Sequence, residues 1–304
     1  MNTTTLQKPL PRYALSESWR RRLPLLPALL FTIALTQVPF VMSIWYSLTD
    51  WQVVPPGPRK FVGLDNYGKL FSDHFFRQAV WTSIELTVVP VLGALVLGAG
   101  FALLLDRKFF GQGLVRTLLI TPFLLMPVVV GLIWKNQMFD TLYGVLNWVI
   151  DKLGFTPVEW VSRYPTWSIA LVLIWQWTPF MMLIMLAGLQ SQPADVLEAA
   201  KVDGATPFGI FRQLTVSHLR PYMELGILLG TVYLIQVYDQ VAVMTGGGPG
   251  STNVPYFVFQ RSIGGGWAFG RASSYSIVVV IASIAIATVA LRVLSGLLKG
   301  EEIA

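Results

Sequence analysis

Six apolar stretches, at about residues 24–48, 79–105, 114–134, 167–190, 222–244 and 273–297, constrain this chain more than any other feature. Each is long enough to cross about 30 Å of hydrocarbon as a helix rising 1.5 Å per residue. A bilayer interior offers no water to the backbone, so such segments must satisfy their own hydrogen bonds, which a helix does. The reading is an all-α membrane protein with six transmembrane helices. Charged residues are only 12% of the chain and mean hydropathy is +0.60, against about 25% charged in an average soluble domain. One multi-span domain over 23–298 is expected, between an N-terminal segment 1–22 and a tail 299–304. The first apolar run follows Arg20-Arg21-Arg22 and continues to about Leu48. That exceeds the apolar core of about 7–15 residues in a cleavable signal, so an uncleaved span is predicted.

Lys and Arg placement sets the orientation. With these spans, 13 of the 22 basic residues fall on one side, including the Arg20–Arg22 cluster beside the first span, and 9 on the other. The positive-inside rule then puts both termini in the cytoplasm, with the polar loop 191–221. The formal charge of +6 is accounted for by basic loops facing anionic membrane lipid, and nucleic acid is not expected. With no cysteine, the chain has no disulfide, thiolate chemistry or Cys-ligated metal. His74 and His218 stand apart, no Ser-His-Asp or paired-carboxylate set survives the topology, and neither catalytic nor metal residues are expected. The runs Gly246–Gly250 and Gly264–Gly266 lack a following Lys-Ser/Thr and cannot cradle a nucleotide phosphate, so this chain does not itself hydrolyse ATP.

The loop 191–221 has internal grammar. Ser191 is read as the N-cap of a helix from Pro193 to Ala200, with Asp195 and Glu198 near its positive end. Gly204 breaks that helix. A second short helix starts at Pro207 and ends near His218 to Pro221. Glu198-Ala199-Ala200, Asp203-Gly204-Ala205, Phe211 and Pro221 fall in the register of the EAA loop, and the stretch resembles that of binding-protein-dependent ABC importer permeases. Ser217 stands where many such permeases carry a further proline. Phe61–Tyr67, Gly144–Asn147 and Thr245-Gly246-Gly247-Gly248-Pro249 are similar to segments of the sugar-type members.

The resemblance implies the type I ABC importer permease fold in a bacterial inner membrane, moving a carbohydrate or polyol by alternating access. It implies a second, homologous permease, two ATPase subunits that bind ATP and Mg, and a periplasmic or lipid-anchored solute-binding protein. No cofactor is implied in this chain. Glu198, Ala199, Ala200, Asp203, Gly204 and Ala205 would be the ATPase-coupling residues.

Ionisable groups within spans cost about 2.5–3.5 kcal/mol on insertion scales and usually face a bundle interior. Asp239 and Glu85 are the clear acidic cases. Tyr233, Gln236 and Gln240 fall at i, i+3 and i+7, one face of a helical fifth span. With Asp239, and with Gln176 between Trp175 and Trp177 beside Pro179, they are the solute-pathway candidates, since hydroxylated solutes need amides, carboxylates and aromatic faces. The competing reading gives Asp239 and the glutamines to helix–helix ties. Glu85 is read as reaching the outer surface or pairing with a neighbouring chain. Residues 138–153 suggest an amphipathic helix in the outer interface. An ATP-independent secondary transporter or channel, with Asp239 and Glu85 carrying protons or ions, is the alternative function.

Overall fold

The computed structural model of the chain describes residues 23–265 and 267–301. Lys8, Arg12 and Arg20–Arg22, on which much of the charge asymmetry rests, lie outside the described residues, as do the last three residues of the tail. The elements are α1 (Leu26–Ser47), a two-stranded antiparallel ribbon β1 (Thr49–Asp50) and β2 (Lys60–Phe61), α2 (Asp65–Ser72), α3 (His74–Leu105), α4 (Gln112–Leu124), α5 (Pro127–Ile133), α6 (Val145–Lys152), α7 (Trp160–Arg163), α8 (Pro165–Gln190), α9 (Ala194–Val202), α10 (Pro207–Ile210), α11 (Val216–Leu234), α12 (Asp239–Met244), α13 (Val254–Ser262) and α14 (Phe269–Glu301). By length and apolarity α1, α3, α8 and α14 can each cross a membrane, and α4 with α5 makes a fifth crossing if the bent pair is one span.

Two of the six apolar stretches are not continuous helices. The third bends by 99° between α4 and α5. Met126 precedes Pro127, whose ring pushes it into the extended region (ψ 135°), so the helix stops and restarts there. The fifth ends at Leu234 and resumes at Asp239, with Tyr238 outside helical geometry.

The core lies where α3, α8 and α11 cross. Met181, Met182 and Met185 of α8 are fully buried there, with Leu173, Val91 and Leu95. Lipid tails are as apolar as these side chains, so close packing rather than water exclusion holds the helices together. Small residues make that packing possible. A Cβ on Gly98 of α3 would sit 2.7 Å from the Met181 Cβ, and one on Gly230 of α11 would sit 2.6 Å from its methyl carbon. By contrast α1 buries none of its most apolar stretch and leans on α14, turning Leu29, Leu30, Phe31, Leu35 and Val41 outward as a lipid-facing helix would.

A second apolar cluster, Leu70, Phe76, Ala79, Val254, Phe257 and Tyr275, joins α2, α3, α13 and α14. Asp73 anchors it, capping α3 through Phe75 N–H (2.9 Å) while accepting from the Tyr275 hydroxyl (3.0 Å). The amphipathic helix expected over 138–153 is shorter than expected. Residues 139–144 form a turn in which the Asp140 carboxylate accepts from the N–H groups of Tyr143 (2.8 Å) and Leu142 (2.9 Å). Those two donors hold its carboxyl below the usual range, and only α6 is helical.

Candidate functional site

Two regions concentrate the polar chemistry, and α8 and α11 run between them. The first is the loop from 191 to 215. Its opening helix α9 begins after Pro193 with no side-chain cap, and Asp195 occupies the first turn. Ser191 is not the N-cap that its position suggested: it closes α8 instead, its N–H bonding back to the carbonyls of Ala187 and Gly188. At the other end Gly204 adopts φ +78°, where a side chain would be strained. Its N–H bonds the Lys201 carbonyl (3.1 Å), and Ala205 N–H bonds that of Ala200 (3.0 Å). This is a Schellman stop, which explains why glycine follows Asp203. Glu198, Ala199, Asp203, Gly204 and Ala205 are exposed and Ala200 half-buried. Beside them Val202 and Phe208 are 88% and 71% exposed, an unpartnered apolar knob on a polar loop.

The second arm departs from expectation. Thr206 caps α10 by accepting from Gly209 N–H (3.1 Å), but the helix does not end near His218 to Pro221. It passes through a π-type turn at Phe211–Thr215 directly into α11. Ser217 retains the N–H that a proline would lack, and Pro221 is accommodated inside the helix.

The second region is a cavity of about 330 Å³ lined by Phe123, Leu125, Pro127, Gln176, Trp177, Tyr233, Leu234, Gln236, Val237, Tyr238, Asp239 and Gln240. It lies where the two broken helices meet, α5 packing on α12. The bend after α4 frees the Leu125 carbonyl, and Gln176 Nε2 donates to it at 3.2 Å. Gln176 Oε1 in turn accepts from Gln240 Nε2 at 2.7 Å. Both glutamines are buried, at 4% and 3% exposure, so this amide chain supplies bonds that irregular backbone in a membrane must find within the protein.

All five candidate pathway residues therefore border one space, although not as the helical face read from their spacing. Tyr233 ends α11, Gln236 lies in the break and donates to the Val232 carbonyl (3.2 Å), and Gln240 points inward from α12. Asp239 opens α12 with no side-chain hydrogen bond or ion pair among the described residues, so the helix–helix tie falls to the glutamines. Trp177 stands 5.5 Å from the rings of both Phe123 and Tyr233, giving the cavity an aromatic wall. Phe123 and Tyr238 were not singled out by sequence: they reach the cavity through breaks whose direction no local pattern gives. Trp175 faces elsewhere, lining an apolar recess of about 300 Å³ with Pro179.

On the α3 side, a groove of about 1000 Å³ runs between the start of α3, α13 and the glycine turn after α12. Glu85 lines it with Arg77, Trp81 and Arg261 and makes no ion pair among the described residues. Gly246 and Gly247 adopt φ of +60° and +62°, and a side chain at Gly247 would run into the ring of Tyr256. His218 is drawn into a polar cluster with Ser191 and Tyr222. Among the described residues no group of His, Asp and Glu could hold a metal.

A bundle of apolar helices, two of them broken beside an amide-lined, aromatic-walled cavity, fits a membrane protein whose irregular backbone is satisfied from within. The chain belongs to the family of binding-protein-dependent transport system inner membrane components, which residues 94–298 match. It is 33% identical over 269 residues to the trehalose/maltose transport system permease protein MalF of Thermococcus litoralis, covering 87% of this chain and 90% of that one. It is 32% identical over 297 residues to the sulfoquinovosyl glycerol transport system permease protein SmoG of Agrobacterium fabrum, covering 95% and 96%. In fold it is similar to a chain of a bacterial alginate ABC transporter crystallised with an alginate pentasaccharide-bound periplasmic protein, with TM-score 0.76 and 17% identity over 90% of this chain and 93% of that one. Family membership makes the chain a permease subunit of an ABC transporter and not an enzyme, and disfavours the ATP-independent alternative.

Proposed function

We propose that this chain is one of two permeases in an ATP-driven importer that carries a carbohydrate or polyol across a bacterial inner membrane. Counting α4 with α5 and α11 with α12 as broken spans gives six crossings, with both termini and the loop 191–215 in the cytoplasm. The observation that carries the reading is the placement of loop and cavity on the same two helices, the cavity at the middle of α8 and at the end of α11 away from the loop. Gln176 lies 14 residues before the end of α8, and Tyr233 lies 17 residues after the start of α11, or about 21 and 26 Å of helix. A push on the loop therefore reaches both walls of the cavity. Partner ATPases, holding ATP and Mg, would grip Glu198 to Ala205 and the apolar knob at Val202 and Phe208. A solute-binding protein would deliver from the other side.

The carbohydrate class is supported by the names of the relatives and by the chemistry of the cavity. Amides pair with hydroxyls in the plane of a sugar ring, while Trp177, Phe123 and Tyr233 offer flat faces to its C–H groups. About 330 Å³ is at the small end of ligand cavities, which favours a mono- or disaccharide-sized solute over a long polymer.

The test is uptake into proteoliposomes holding this chain with its partner permease, ATPases and binding protein. Uptake should require ATP inside and be competed by sugars or polyols but not by amino acids. Glu198→Arg or Gly204→Asp should abolish it by releasing the ATPases on co-purification. Uptake driven by an ion gradient without ATP, lost in Asp239→Asn and retained in Glu198→Arg, would overturn the proposal.

A further inference from the structure

The two ends of the loop 191–215 are tied to each other. Ser191, the residue that closes α8, lies 2.7 Å from the Tyr222 hydroxyl and 3.0 Å from His218 Nε2, both on α11. The same Nε2 lies 3.1 Å from the Gly188 carbonyl, and Ser191 Oγ lies 2.9 Å from that carbonyl.

The donors can be assigned by elimination. A carbonyl only accepts, so His218 must carry a hydrogen on Nε2 to bond Gly188, and Ser191 must spend its one hydrogen on the same oxygen. Ser191 Oγ is then left with two lone pairs, which accept from the Tyr222 hydroxyl and share the His218 N–H. The Ser191 and Tyr222 hydrogens each have one acceptor, and the His218 hydrogen is divided between two. Glycine at 188 is part of the arrangement: a Cβ there would sit 2.7 Å from Leu219 Cδ2 and 2.8 Å from the Tyr222 ring. Only a bare backbone lets α11 come close enough for His218 to reach the carbonyl.

We infer that Ser191, His218 and Tyr222 form a clamp across the base of the loop and act as positioning residues for transport, which rests on the reading of this loop as the ATPase contact. Without the clamp, a displaced α9 could swing on the 191–193 segment and load α8 alone, or pass through the π-type turn at Phe211–Thr215 and load α11 alone. With it, α8 and α11 receive the displacement together. Both helices carry cavity-lining side chains, so joint loading moves both walls in one step, and a broken clamp spends ATP on motion that reaches only one.

The measurement is solute imported per ATP hydrolysed in the reconstituted transporter. Ser191→Ala, Tyr222→Phe and His218→Phe should each lower that ratio by about fivefold, the factor that one hydrogen bond of ordinary net strength represents. The ATPases should still co-purify. His218→Gln, which keeps a side-chain N–H donor, should recover most of the ratio. An unchanged ratio in all three variants, or lowered thermal stability with an unchanged ratio, overturns the clamp. If His218→Phe does not assemble, Ser191→Ala, which removes one exposed hydroxyl, carries the test. Undiminished co-purification in both Glu198→Arg and Gly204→Asp would instead sink the loop reading beneath it, a result independent of the ratio.

Discussion

The amide chain from Leu125 through Gln176 to Gln240 gives a stability prediction whose three parts have different sizes. Methionine replaces glutamine with a side chain of similar length and shape, so little volume changes and the polar terms dominate. In Gln240→Met, Gln176 Oε1 loses its 2.7 Å donor while Gln176 Nε2 keeps Leu125. One buried acceptor is stranded. In Gln176→Met, both the Leu125 carbonyl and the Gln240 amide are stranded. In the double variant only the Leu125 carbonyl is. Stranding a buried polar group costs about 1–3 kcal/mol, and hydrogen bonds between membrane helices average about 0.6 kcal/mol with a ceiling near 1.7. About 1 kcal/mol per stranded group is therefore a fair unit, which predicts losses of about 1, 2 and 1 kcal/mol in that order. The double variant should be no worse than Gln240→Met and better than Gln176→Met. The assay is reversible denaturation in mixed micelles, read as a double-mutant cycle with a coupling of about 2 kcal/mol. Additive losses, with the double variant the least stable of the three, would refute the chain of donors and acceptors described here.

Two further perturbations separate packing from transport. Gly230→Leu drives a branched side chain into Met181 and Val91, which already approach an added Cβ to 2.6 and 3.2 Å; overpacking of this kind costs about 1–3 kcal/mol, and a lowered midpoint of thermal unfolding should report it, while an unchanged midpoint would contradict the crossing. Trp177→Ala removes the ring that faces both Phe123 and Tyr233, and uptake should fall by about tenfold, the worth of one aromatic contact of about 1.5 kcal/mol, with ATPase association intact; undiminished uptake would remove the cavity from the solute path.

How far each part was legible in the sequence depends on how local its cause is. The Asp203-Gly204 stop could be read directly, because a left-handed helix end is decided within a few residues. The second arm misled for the opposite reason: Pro221 reads as a terminator, yet a single missing N–H is tolerated inside a helix whose neighbours pack well. Spacing grouped Tyr233, Gln236 and Gln240 as one helical face. They do not share a helical face, since α11 stops at Leu234, but the break turns them toward one space. The partnership of Gln176 and Gln240 spans 64 positions, and the position of Phe123 depends on a bend set by Pro127. The first leaves no mark in a local window, and the proline marks the second without telling which side chains the bend brings together. Ser191 illustrates the limit well: a serine ahead of a helix looks like its cap, and only the approach of α11 at Gly188 shows that its hydroxyl faces the other way.

Met181 carries one further consequence. The two helices that line the cavity, α8 and α11, bear on each other through a thioether seated in the notches of Gly226 and Gly230, while Gly98 of α3 closes on the Met181 Cβ and backbone. An unbranched side chain with three rotatable bonds refills its surroundings as they shift, where a β-branched one would hold a single shape. Rigid helices thus meet at a compliant bearing. The crossing of α8 and α11 is cushioned by a side chain that re-packs, a compliance that the backbone contact of α3 at Gly98 does not share.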